Sequence, residues 1–193
     1  MEPDSSSSDP TGTVTKLIRA SSLGDSDARE RLIAEIYADL HRIAARMMSR
    51  ERAGHTLQAT ALVNEVLLKF LIKDDPFAAE NKKQLMSIAA ISMRHMLVDH
   101  ARAKGRAKRG GPAEQIPIQT ELDGVAPSSE KLLLINDALR RLEQKGERHA
   151  RVAELRIFGG FTTEEIAEVL NVATRTVERD WLFARAWLQN ELK

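Results

Sequence analysis

Cysteine is absent from the chain, and its absence removes disulfides, thiolate chemistry and zinc knuckles. Aromatic residues are also scarce, at 4% against 30% charged, a balance that favours many helices over a β-sandwich. No apolar run approaches the length of a membrane span, and the N-terminus lacks a basic-then-apolar signal pattern. The expectation is a soluble cytoplasmic protein with no membrane insertion. Charge of one sign is nearly lacking too. The formal net charge is +1, so any nucleic-acid affinity has to come from local patches. Neither a nucleophile–base constellation nor a phosphate-binding glycine loop is present, because the glycine pairs lack the flanking lysine and helix context. The chain therefore reads as a non-enzyme with no cofactor. Its 193 residues suffice for one large domain or two small ones.

The most informative stretch is Phe161 to Leu188. Thr162 is placed to N-cap a helix with Glu165 as its capping-box partner, and Ile166, Ala167, Val169 and Leu170 give that helix an apolar side. Asn171 suits the left-handed turn that ends it, and Thr174 is placed to cap a second helix. Val177, Trp181, Ala184 and Leu188 then form one inward stripe. Arg175, Thr176, Glu178 and Arg179 face away from it, in the part of a helix-turn-helix that enters the major groove. Arginine reads guanine edges or holds phosphates, and a carboxylate accepts from cytosine or excludes wrong poses. A plain helical hairpin with a solvated charged face is the competing interpretation.

Taken in order, residues 1–12 are polar, serine-rich and acidic, and read as a disordered tail. A short helix over Val14 to Ser21 precedes a long amphipathic one from Asp27 to about Arg52, capped by Ser26 or Asp25, with Leu32, Ile36, Leu40, Ile43 and Met47 in a stripe. Thr60 is expected to cap a third helix that is apolar on more than one side (Leu62, Val63, Val66, Leu67, Phe70, Leu71). Such a helix packs either on its own domain and a partner or wholly inside a bundle. Asn81 caps a fourth helix reaching about Lys104. From Arg94 to Arg109 six basic residues, Arg102 and Arg106 among them, face one acidic residue, a local charge of +5 and a candidate phosphate-facing patch. His95 and Asp99 share a helix face, but no third ligand is spaced to join them, so no metal is expected.

Residues 110–127 hold three prolines and three glycines without helical period and read as a linker. A helix capped by Ser128 or Ser129 follows to Lys145, Gly146 breaks it, and another runs from Glu147 to Phe158 before Gly159-Gly160. The fold class is therefore all-α: two small helical domains joined by a Pro/Gly linker, the second a four-helix unit with a helix-turn-helix. The expected boundaries are 1–12 tail, 13–109 N-terminal domain, 110–127 linker and 128–193 C-terminal domain.

This order of parts, with LVNEVLLKF at 62–70, LMSIAAISMRHMLVDHARAKGRAKRGG at 85–111 and EEIAEVLNVATRTVERDWLFARAWL at 164–188, resembles bacterial sigma factors of the extracytoplasmic-function (ECF) type in the sigma-70 family. The resemblance implies docking of Leu62, Val63, Glu65, Val66 and Lys69 on core RNA polymerase. It implies reading of a −35 element by Arg175, Thr176, Glu178 and Arg179. It also implies −10 recognition and melting through the loop from Lys73 to Asn81, with Phe77 or Asn81 on a flipped base and Arg94, His95, Arg102 and Arg106 along the backbone. Asp99 and Arg102 match the family's Asp-x-x-Arg pair. Core RNA polymerase and promoter DNA are the implied partners, and a regulatory anti-sigma partner is common among such proteins. Two departures stand out. Residues 82–109 contain no aromatic, which shifts melting onto the loop, and Glu178 and Asp180 occupy places where many relatives carry bases. The alternative is a stand-alone dimeric helix-turn-helix regulator, which needs a palindromic site.

Overall fold

The computed structural model describes residues 10–49, 58–72, 79–107 and 129–192, all as helices and their short connections. Eight α-helices follow in order: α1 Pro10–Ser22, α2 Ser26–Met47, α3 Ala59–Ile72, α4 Lys82–Ala107, α5 Ser129–Lys145, α6 Glu147–Glu154, α7 Thr163–Leu170 and α8 Thr174–Glu191. No strand occurs among the described residues. Residues 1–9 of the expected tail, the loop residues 73–78 that include Phe77 and the 110–127 linker lie outside them, whereas residues 10–12, expected in the tail, begin α1.

Side-chain caps set several of these starts. Asp25, of the two candidates, caps α2 by accepting from the Ala28 N–H at 3.0 Å. Asn81 caps α4 by accepting from the Gln84 N–H at 3.0 Å. Thr60 caps nothing, because α3 already begins at Ala59. The long second helix stops at Met47 rather than at about Arg52, and Met48 closes it by donating to Ala44.

The expected single helix over Glu147 to Phe158 is two pieces. After α6 the chain widens into a π turn, Leu155–Gly159, which ends at Gly160 in the left-handed region (φ 69°). The Phe161 N–H reaches back to the Leu155 carbonyl across this turn. The widening turns Ile157 and Phe158 into the core beside α4. Gly160 also meets α2, because a Cβ there would lie 2.5 Å from the Arg46 Cζ. Gly160→Ala is expected to cost about 1–2 kcal/mol through the left-handed backbone alone, with displacement of Arg46 in addition. The check is the urea midpoint; an unchanged midpoint refutes the constraint.

α4 holds the molecule together. The apolar period of its sequence, Leu85, Ile88, Ala89, Met93 and Met96 with Leu97, faces inward: all are buried except Ile88, which is half-buried. A neighbouring stripe at Lys83, Ser87, Ala90, Arg94, Val98 and Ala101 is covered as well, apart from Lys83 at its end. α4 contacts α2 and α3 in the N-terminal half, and α5, α7 and the π turn in the C-terminal half. Its small residues allow close approach: a Cβ on Gly159 would sit 3.6 Å from that of Ala90. One continuous core consequently runs from Leu32 and Leu62 through Met93 to Leu139, Phe158 and Leu188.

Candidate nucleic-acid interface

α7 and α8 meet through a tight turn, and the sequence dictates its form. Thr162 and Glu165 make a reciprocal capping box, with N–H···O distances of 3.2 Å and 2.8 Å. Asn171 ends α7 in the left-handed conformation, at φ 51° and ψ 51°. The N-cap of α8 is Ala173 rather than Thr174; it makes no side-chain cap, and Thr174 is already the first helical residue.

The inward stripe of α8 contains Val177, Ala184 and Leu188, all fully buried, with Trp181 half-buried beside them. Arg156 places its guanidinium 5.7 Å from the centre of the Trp181 ring and bonds Thr163 Oγ1 at 2.8 Å, fastening the start of α7. Arg175, Glu178 and Arg179 are exposed and Thr176 is half-buried, so the first turn and a half of α8 presents two arginines and one glutamate outward.

Asp180 does not join that face. It is 2% exposed, and its carboxylate accepts from Arg148 Nε at 2.5 Å and lies 3.3 Å from His149 Nε2. The reason is positional: residues 177, 180, 184 and 188 recur at i, i+3, i+7 and i+11, which puts Asp180 on the core stripe. Two side chains of α6 thereby fix the attitude of α8. That spacing was available in the sequence; the partners on α6 were not.

The predicted phosphate face of α4 is arranged differently from the expectation. Arg94 is buried, 8% exposed. Its Nε donates to Glu154 Oε1 at 2.6 Å, its Nη1 to Asn136 Oδ1 at 2.5 Å, and its Nη2 lies 2.8 Å from His95 Nε2. The ring centre of Phe158 is 5.8 Å from the guanidinium carbon. A buried guanidinium needs such partners to offset its lost hydration. His95 is largely exposed, and partial desolvation together with the adjacent Arg94 cation holds its pKa below the usual imidazole value. The neutral ring then accepts the Arg94 hydrogen bond. Arg102 reaches Asp137 on α5 at 3.4 Å, and Lys83 reaches Glu168 on α7 at 2.5 Å. The backbone of Arg106 belongs to α4, and Phe77 lies outside the described residues.

On α3, Leu62, Val63 and Val66 are fully buried, whereas Asn64, Glu65, Leu68 and Lys69 are exposed. The apolar triad therefore builds the core, and the accessible strip is Glu65, Leu68 and Lys69 with Asn64. Leu68 is an apolar side chain left 55% exposed in the middle of that strip. Among the described residues no cluster of three or more metal-binding side chains occurs, and no helix is long and apolar enough to cross a membrane.

Two comparisons bear on this geometry. The model of the ECF sigma factor family matches residues 11–193. No curated protein matches the chain.

Proposed function

The chain belongs to the ECF sigma factor family, a family of DNA-binding factors of transcription initiation, and from that membership we propose that it is the promoter-specificity subunit of a bacterial RNA polymerase. The observation that carries the promoter reading is the outward turn and a half of α8. Arg175 and Arg179 are exposed there, on a helix whose attitude is fixed by a capped turn and by Asp180. A helix end presented in this way suits the major groove of a duplex −35 element. Its arginines supply guanine or phosphate contacts, and Thr176 and Glu178 set discrimination.

In this reading α3 docks on core polymerase through Glu65, Leu68 and Lys69. The −10 element is contacted from α4, with Arg94, His95, Arg102 and Arg106 along the backbone and Phe77 or Asn81 on an extruded base. Promoter melting requires that base to leave its stack and to be held by shape and hydrogen bonds.

The test is co-elution with bacterial core RNA polymerase on a sizing column. A 1:1 complex that transcribes from an asymmetric two-part promoter is expected. A dimer running alone, selecting an inverted repeat, would replace this reading with that of a stand-alone regulator.

A further inference from the structure

We propose that Arg148 and His149 are positioning residues for promoter readout: without touching DNA, they set the rotation and register of α8, and so which base-pair edges Arg175 and Arg179 meet. The proposal rests on the reading of α8 given above. Its starting point is a misfit in the stripe that packs α8 on its domain. Val177, Ala184 and Leu188 are apolar and fully buried, yet a carboxylate, Asp180, sits among them at 2% exposure. Burying a charge is costly unless it is paired and hydrogen-bonded. An apolar side chain at that position would avoid the cost, so the carboxylate supplies something that apolar contacts lack.

What it supplies is direction. Apolar burial is non-directional, so Val177, Ala184 and Leu188 hold α8 on the core but resist its rotation only weakly. Asp180 adds bonds of fixed aim. Arg148 Nε donates to Oδ2 at 2.5 Å and Nη2 to Oδ1 at 3.4 Å, while His149 Nε2 stands 3.3 Å from Oδ1. The His149 ring also stacks on Phe183, three residues further along α8, with ring centres 4.5 Å apart. One imidazole thus touches two successive turns of the helix and fixes its register along the axis as well. Residue 146 is glycine where this ring lies, and a Cβ there would sit 2.6 Å from His149 Nδ1. The leverage of such a clamp is large. A rotation of about 20° at a side-chain radius of about 6 Å carries an outward group about 2 Å, enough to break a hydrogen bond to a base edge. Arg179 directly precedes Asp180, so any turn of α8 at the clamp passes straight to it.

The test uses the full chain with core polymerase and a duplex library randomised over the −35 and −10 segments. Wild type is expected to select sharply at both. Arg148→Ala and His149→Ala should keep the −10 selection and blur the −35 selection, with a preference of roughly five- to hundredfold for a bidentate arginine contact falling to about twofold. A purely structural role would lower the thermal midpoint and leave the selection by folded molecules unchanged. Arg141→Ala is the matched control. It too removes one positive charge and one ion pair to α8, with Glu191 Oε1 at 2.7 Å, but about 16 Å of helix beyond Asp180. Both selections should stay sharp in it. If a clamp variant fails to fold by circular dichroism, Asp180→Asn, which keeps the shape and removes the charge, takes its place with the same expectation.

A −35 selection as sharp as that of wild type in the folded clamp variants overturns the proposal and leaves the promoter reading intact. Equal blurring by Arg141→Ala, or blurring at −10 in parallel, overturns it too, because the loosening is then general. If no polymerase complex forms, the free chain is taken through the same library. A motif sharp for wild type and blurred for the clamp variants then supports the clamp and removes the polymerase assignment alone. No motif for wild type removes the reading of α8 and the clamp with it.

Discussion

Leu62→Asp abolishes cooperative folding of the N-terminal half. Leu62 is fully buried, and α3 turns Val63, Val66 and Phe70 into the same core. A carboxylate there has no partner and either stays protonated or drags water inward, at a cost of several kcal/mol. That is comparable with the whole stability of a typical domain, about 5–15 kcal/mol. Far-ultraviolet circular dichroism on heating checks the outcome: the variant should lose its sharp transition and part of its helix signal. The companion change Leu68→Asp lies on the exposed strip, should keep the transition, and should lose co-elution with core polymerase. A folded Leu62→Asp chain would mean that α3 is not held as described. A Leu68→Asp chain that still co-elutes would remove the docking strip.

Arg179→Ala lowers transcription from promoters that depend on a −35 element by about tenfold or more. The magnitude follows from a bidentate arginine–guanine contact, worth about 1–3 kcal/mol of discrimination. Because Arg179 is exposed on α8, its removal leaves no buried partner unpaired, and stability should stay within about 0.5 kcal/mol of wild type. Run-off transcription with wild type and variant at equal polymerase occupancy gives the comparison. Equal transcript yields would mean that this face of α8 does not read the promoter. Polymerase binding should be the same in both proteins, since α3 is untouched.

Short-range chemistry was well recorded in the sequence. Thr162 with Glu165, Asn171, Asn81 and Asp25 act where their side chains were expected to act, because a cap or a left-handed turn involves only residues three or four apart. The inward stripes of α2 and α8 were equally legible from their period. What escaped depends on partners distant in the chain. The period of α4 shows that one side is apolar. It does not show that Lys83, Ala90 and Arg94 meet residues some 40 to 85 positions away, because those pairings exist only after folding. Arg94 consequently looked like one more member of a basic run. Asp180 was left out of the inward stripe, although its position three residues after Val177 points it to the core, where Arg148 and His149 compensate its charge. The π turn escaped because Leu155 to Phe158 has ordinary helix-forming composition, and only the packing of Phe158 against α4 reveals the widening.

The two-sided burial of α4 also makes temperature a variable. Parting the halves would wet Ala90, Val98, Ile157 and Phe158, groups whose burial weakens on cooling. The cost of stripping water from Arg94 and Glu154 rises in the cold as well, because charged groups hydrate more favourably there. Both trends run in one direction. Chilling therefore loosens the grip between the halves, and moderate warmth tightens it.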